Sequence, residues 1–403
     1  MEPNQVAIVT GASRGIERPI AEVLGVAPGP VDTEMFGSGQ SEKRITQTAA
    51  AAPVGRLGTV DPMALVAVLA FSASGRGQRP GHQHQRRNRL MPTPEKSDSL
   101  VVIVTGAGSG IGRAVAVELA RAGHIVYAGM RDLNGRNRRR AEDLRELASA
   151  ENVRLMALEM DVLSEPGCRS AVDVVLGEYG RIDAVVNNAG MLMAGVAEGF
   201  TPEQFLRILD TNAVSWLRVN RAVLPVMRRQ GSGTLAYVSS TTAHIAEPFM
   251  AAYIASKAAG EFLAESMGLE VAPLGIDTVI VVPGAFTEGT EHFAHSNPPA
   301  DAAVVAQYGS LPDRVAQLPE RLRAIDLAYD GSAAQVESVG RALVEVFEEP
   351  QGKRPRRVVV DAQRKGVEEF DAVRAAKQLE FFRQLGIDDL LTVAEPTTTE
   401  EKR

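Results

Sequence analysis

The feature that most limits what this chain can become is the stretch 101–113, VVIVTGAGSGIGR. Val101 to Thr105 are all apolar or β-branched and read as a short buried parallel strand, and Gly106, Gly110 and Gly112 open the helix that follows. Strand, glycine turn and helix form the beginning of a nucleotide site. Gly106 permits the tight turn, Gly110 lets the backbone approach a pyrophosphate, and Gly112 lets the helix lie close to the strand, with phosphates at the helix N-terminus. Glycine turns are common, so a plain βα turn stands as the alternative until other features agree.

From residue 100 onward the pattern is regular. Apolar strand candidates at 101–105, 125–130, 153–159, 183–187, 234–239, 277–282 and 356–360 alternate with longer segments of helical periodicity. Such alternation predicts an α/β fold: a doubly wound parallel sheet of about seven strands, helices on both faces, and ligands beyond the strand C-termini. The 403 residues, 45% hydrophobic, are enough for one such core and something extra.

Balance of charge and cysteine content narrow the class further. With 43 Lys plus Arg against 50 Asp plus Glu, the net charge of -7 argues against a nucleic-acid binder. Cys168 is the sole cysteine, so neither an intrachain disulfide nor a cysteine metal cluster can form, and a reducing cytoplasm is the expected setting. No apolar run approaches the ~18 residues of a membrane span, and the first residues carry no basic flank ahead of an apolar segment. Neither secretion, membrane insertion nor a metal site is expected.

Chemistry gathers at the predicted strand ends. Tyr253 and Lys257 are four apart in a helical segment and share one face. A phenol with an ordinary pKa of about 10 carries protons poorly at neutral pH, and a neighbouring ammonium is expected to lower it, making Tyr253 a candidate general acid/base. An exposed pair at this spacing is the bland alternative. Ser240 ends a buried strand candidate thirteen residues before Tyr253, and Ser239 takes its place if the register slips by one.

These features together resemble the short-chain dehydrogenase/reductase family: T-G-x-x-x-G-x-G from Thr105 to Gly112, N-N-A-G from Asn187 to Gly190, Asn212, Ser240, Y-x-x-x-K from Tyr253 to Lys257, and Pro283-Gly284, in family order over roughly residues 100–393. The resemblance implies a catalytic set of Asn212, Ser240, Tyr253 and Lys257. Tyr253 would exchange a proton with the substrate oxygen, Ser240 would hydrogen-bond that oxygen, Lys257 would lower the phenol pKa and hold the nicotinamide ribose, and Asn212 would anchor a water-linked proton relay. Asn212 as an interior polar contact is the alternative. It further implies that a nicotinamide dinucleotide is held by Thr105, Gly106, Ser109, Gly110, Ile111, Gly112, Asp161, Val162, Asn188, Ala189, Gly190, Tyr253, Lys257, Pro283 and Gly284. An N-terminal helix cap is the plain reading of Asp161. The implied activity is interconversion of an alcohol and a ketone or aldehyde on an apolar small molecule by a homo-oligomer, dimer or tetramer; a dinucleotide-binding partner subunit without catalysis is the alternative.

Cofactor choice turns on the end of the second strand, where Met130 is followed by Arg131. An acidic residue there would bind the free ribose hydroxyls of NAD, whereas arginine attracts the 2′-phosphate of NADP. NADP is therefore favoured, with NAD open because Asp132 follows and could turn inward. Arg136 to Arg140 add basic charge or simply start a solvated helix. After Pro283 the chain departs from the family: many members carry Thr five residues on, but Glu288 stands here, leaving Thr287 as the candidate contact and Thr290 nearby. Residues 291–329 read as a mobile loop over the site, in which His292 and His295 could contact substrate or be solvated. Met191, Met193, Phe249 and Phe286 suggest an apolar pocket or plain core. Residues 367–393 read as a helical extension over the pocket or a subunit interface.

The first ninety residues carry a second, damaged copy. VAIVTGASRGI (6–16) repeats the strand-glycine pattern, but Glu17 stands at the position of Gly112 and Pro19 falls in the following helix. Residues 1–75 thus resemble the joined first and last pieces of a degenerate, inactive family copy. Basic residues 76–99 read as a disordered linker following a frame shift near Ser74, 100–393 as the complete catalytic domain, and 394–403 as a disordered tail.

Overall fold

Apolar runs of four to eight residues, bounded by glycines and caps, set the strands. In chain order the elements are β1 (Val101–Thr105), α1 (Gly110–Arg121), β2 (Ile125–Met130), α2 (Arg138–Glu151), β3 (Leu155–Glu159), α3 (Glu165–Tyr179), β4 (Ala184–Asn187), α4 (Pro202–Leu209), α5 (Ser215–Gln230), β5 (Gly233–Val238), α6 (Ala251–Val271), β6 (Ile276–Pro283), α7 (Ala302–Ala306), α8 (Asp313–Asp330), α9 (Glu337–Glu348), β7 (Arg357–Val360) and α10 (Val367–Leu385). The computed structural model describes residues 99–330 and 332–394. The degenerate copy, the linker as far as residue 98 and the tail from 395 lie outside the described residues.

Among the described residues, seven strands form one parallel sheet in the order β3-β2-β1-β4-β5-β6-β7. Alternate residues of β1 feed two cores: Val101 and Ile103 pack with α3, α5 and α6 on one face, Val102 and Val104 with α1, α2 and α9 on the other. Burial on both faces explains why the strands read as continuous apolar runs. The chain runs from β1 out to β3, then returns to place β4 on β1's other side, so a crevice opens beyond the C-terminal ends of β1 and β4.

Residues 291–301, with their His and Pro, run as a loop, but the rest of 291–329 is not loop. That rest contains α7, whose N-cap Asp301 accepts from the Val304 amide at 3.0 Å, and α8, which carries Pro319 within it. The C-terminal extension is α10 followed by a short 3₁₀ turn, Asp388–Leu391, and Ala394 N donates to Ala272 O at 2.9 Å. Among the described residues no helix is long and apolar enough to cross a membrane, and no group of His, Cys, Asp or Glu could hold a metal ion.

Candidate active site

Thr105, the last residue of β1, stitches the crevice together. Its hydroxyl donates to Val186 O (3.2 Å) and accepts from the amides of Asn188 (2.9 Å) and Ala189 (3.0 Å), while Asn188 Nδ2 donates back to Thr105 O at 2.9 Å. α1 then starts tight against this join. A Cβ on Gly112 would fall 2.3 Å from Asn188 Nδ2 and 2.4 Å from Gly106 O, and Gly106 holds φ +64 with Ala189 Cα 2.8 Å from where its own Cβ would be. No larger residue fits either place.

Beyond the stitched ends lies a cavity of about 530 Å³, within the range of small-molecule sites. Its walls include Gly106, Ser109, Gly110, Ile111 and Gly112 from the glycine turn, Arg131, Asp161 and Val162 from the next two strand ends, and Asn188, Ala189 and Gly190 after β4. Ser240, Tyr253, Lys257, Pro283 and Gly284 complete it. Asp161 Oδ1 accepts from Leu163 N, and the cap of α3 is Ser164 instead, whose Oγ accepts from Gly167 N at 3.1 Å.

Two turns of α6 bring the proton-bearing groups into this cavity. Tyr253, Lys257 and Glu261 follow at four-residue intervals and are all buried. Lys257 Nζ donates to Val238 O, the last carbonyl of β5, at 2.9 Å and lies 5.8 Å from the Tyr253 ring centre. Ser240 lines the cavity with Tyr253 and caps the turn Thr241–Ala243, accepting from Thr242 N and Oγ1. Ser239 is committed elsewhere, donating to Glu261 Oε2. The expected lowering of the phenol is reversed: burial pushes Tyr253 up to about 12, against the opposing influence of the Ser240 side chain. Burial also pushes Lys257 down to about 8, against the charge of Glu261.

Three of the expected site residues sit off the cavity wall. Thr105 is the strand tie described above. Asn212, in a π-helical turn (Asp210–Val214) between α4 and α5, is fully buried. Its Nδ2 donates to Met191 O and Ser256 Oγ, both at 2.9 Å, and Oδ1 accepts from Met191 N at 2.8 Å. Ser256 Oγ donates to Tyr253 O at 2.7 Å, so Asn212 braces the helix that carries the phenol. Thr287 Oγ1 is buried without a partner among the described residues, and Thr290 takes the wall position, opposite Gly110. Of the four expected pocket apolars, Met191 and Phe286 line the cavity and Met193 and Phe249 do not.

At the far end of the cavity, Asp132 does not turn inward. Its carboxylate accepts from Arg136 N at 3.0 Å, closing its own turn, and Glu159 holds that turn through the Asp132 and Leu133 amides. Arg131, Arg136 and Arg140 are left on the wall. Arg140 pairs with Glu291 at 2.7 Å, while Arg131 and Arg136 make no ion pair among the described residues.

Other residues at the site carried no sequence signal. Gln363 Oε1 accepts from Ala285 N at 2.7 Å and its Nε2 donates to Ala285 O at 3.0 Å and to buried Asp326. Lys365 reaches the cavity, donating to Glu247 at 2.6 Å and Thr241 Oγ1 at 3.1 Å. Behind α6, Glu261 meets Arg357 at 2.6 Å and His244 at 3.0 Å, and Asp371 of α10 meets Arg357 at 3.1 Å. No local spacing reports these contacts, because they join side chains and backbone of different elements that only the fold brings together.

Residues 100–300 match the family model described as short chain dehydrogenase. The chain is 35% identical over 198 residues to the uncharacterized oxidoreductase YusZ of Bacillus subtilis strain 168, a match spanning 48% of this chain and 68% of that protein. It is 34% identical over 177 residues to the 3-ketodihydrosphingosine reductase of Bacteroides thetaiotaomicron, spanning 44% of this chain and 60% of that one. The crystal structure of a short-chain dehydrogenase from Streptomyces avermitilis superposes with a TM-score of 0.56 at 28% identity, covering 72% of this chain and 98% of the other. With the glycine turn, the parallel sheet and the Ser240, Tyr253 and Lys257 cluster in one crevice, these matches make the chain a member of the short-chain dehydrogenase family.

Proposed function

We propose that residues 100–393 form an NADP-dependent alcohol dehydrogenase or carbonyl reductase acting on an apolar small molecule. The observation that carries this reading is the convergence of Ser240, Tyr253 and the buried ammonium of Lys257 on the one cavity that the glycine turn opens. A binding module needs the glycine turn but not a phenol, hydroxyl and ammonium converging on one point.

The residues present suit a dinucleotide. The crowding at Gly106 and Gly112 shapes a wall that side chains would fill, and the start of α1 offers backbone amides to phosphates. Asp161 and Val162 would hold the adenine, Asn188 to Gly190 and the Pro283-Gly284 turn the nicotinamide half, and Lys257 its ribose. Arg131 and Arg136, free of ion pairs among the described residues, favour a ribose bearing a 2′-phosphate, since Asp132 is turned into its own loop. A bound nicotinamide supplies or accepts the hydride.

The chain's own groups manage the oxygen and its proton. Ser240 donates to the carbonyl oxygen and orients it. Tyr253, held protonated by burial, gives its proton to that oxygen during reduction and takes it back during oxidation. Lys257 keeps positive charge next to the phenol, easing its conversion to phenolate. Asn212 acts on this machinery through Ser256 and the α6 backbone. Met191, Leu192, Met250 and Phe293 supply an apolar wall that excludes water.

The test is dinucleotide oxidation by the purified full chain over a panel of ketones and aldehydes, with NADPH and NADH compared. The reading expects turnover with NADPH preferred, and the same activity from a chain beginning at Met91. Dinucleotide binding without turnover of any carbonyl would contradict it.

A further inference from the structure

His292 is a polar group beside the reaction centre that the proposed chemistry leaves unused. Its imidazole stands edge-on to the Tyr253 ring, with centroids 5.7 Å apart and planes at 69°, and it lines the same cavity as Ser240 and Lys257. The backbone N of His292 donates to Thr290 Oγ1 at 3.2 Å, but its ring nitrogens bond no group among the described residues.

The loop that carries this imidazole is pinned on both sides. Before it, Glu291 pairs with Arg140 at 2.7 Å; after it, Asn297 N donates to Leu192 O at 3.1 Å, and Asn297 bridges to Met193. The ring is therefore presented in one place. Met191, Leu192, Met250 and Phe293 line the same cavity and supply its apolar wall. Burial, helped by the Lys257 charge, holds its pKa down at about 4, so near neutral pH one ring nitrogen donates and the other accepts.

With ring centres 5.7 Å apart, both rings reach one small molecule, and two oxygens on adjoining carbons fit that reach. The rings do not serve the two ends of a long one, since each hydrogen bond spans only about 3 Å. We propose that His292 is a specificity-determining residue that hydrogen-bonds a hydroxyl or second carbonyl on the carbon next to the reacting one, making α-hydroxy or α-oxo ketones, and the matching vicinal diols, the substrate class. This inference rests on the oxidoreductase reading above.

The experiment compares the full chain with His292→Phe and His292→Gln, measuring NADPH oxidation with cyclohexanone, with its derivative hydroxylated on the adjacent carbon, and with the derivative hydroxylated across the ring. The parent prefers the adjacent-hydroxy ketone over the plain one. In H292F that kcat/KM ratio falls about 10-fold, as expected for one lost hydrogen bond to a buried group. H292Q, which keeps a donor and an acceptor, stays within about 3-fold of the parent. The ratio for the ketone hydroxylated across the ring does not move. NADPH fluorescence titration reports folding independently of the ketone, and His292→Leu replaces H292F if the latter binds no dinucleotide. Turnover with the adjacent-hydroxy ratio unmoved in the variant overturns this inference alone. A parent that binds NADPH and reduces none of the ketones overturns the oxidoreductase reading and this inference with it.

Discussion

Gln363 grips Ala285 by both of its amide groups, accepting from the backbone N at 2.7 Å and donating to the backbone O at 3.0 Å. This fixes the turn after β6 from a segment outside the residues matched by the family model. Replacing Gln363 with Leu keeps the bulk and removes both of these bonds, each worth about 0.5–1.5 kcal/mol, together with the one to buried Asp326, so stability falls as well. The expected result is a KM for the dinucleotide raised about 10-fold with a smaller change in kcat, read by initial rates and by fluorescence titration.

The buried pair of α6 predicts a specific pH dependence. For the free enzyme, kcat/KM for NADPH in carbonyl reduction should be flat up to about pH 8 and fall above it as Lys257 loses its proton, while Tyr253, pushed to about 12, stays a proton donor throughout. Stability follows the opposite sign. Between about 8 and the ordinary lysine value of 10.5, the unfolded chain holds a proton that the folded chain has released, so this group makes stability rise with pH. Its full penalty is present below 8. Urea midpoints of Lys257→Met minus parent should be most positive below pH 8 and shrink toward 10.5.

Glu261 joins α6 to β7 and α10. Burial opposes its charge, but His244, Arg357 and Ser239 together hold its carboxyl down at about 2. Glu261→Gln leaves Arg357 its Glu265 and Asp371 partners but removes the charge that His244 and Ser239 also meet, and a loss of about 1.5–3 kcal/mol is expected in urea unfolding. Ser239→Ala, which removes one bond to the same carboxylate, should cost about 1 kcal/mol. Equal stabilities for E261Q and the parent would refute this account of the cluster.

Arg131 and Arg136 set dinucleotide preference if a 2′-phosphate lies between them. Replacing both with Ala should lower the NADPH to NADH ratio of kcat/KM about 100-fold, chiefly through KM for NADPH, with NADH little affected. The parent's preference should also weaken as salt rises.

The sheet was legible because strands buried on both faces leave runs of β-branched residues, and 101–105 and 125–130 stand in the fold at the bounds their sequence suggests. The glycine turn was legible for a related reason, since only glycine fits against Asn188 and Ala189. What escaped was tertiary. Thr105 bonds to backbone brought near only by folding, Gln363 and Lys365 arrive from beyond β7, and α8 forms despite Pro319. The phenol was misjudged because spacing reports a neighbouring ammonium, whereas burial, which dominates, depends on everything packed around α6.

The central claim is that the Tyr253 hydroxyl moves the proton, and Tyr253→Phe tests it most directly because it removes one oxygen from a buried site. Measured with NADPH and the best ketone of the panel, the variant should bind dinucleotide as the parent does and lose turnover by about 10²- to 10⁴-fold. Turnover equal to that of the parent would contradict the account.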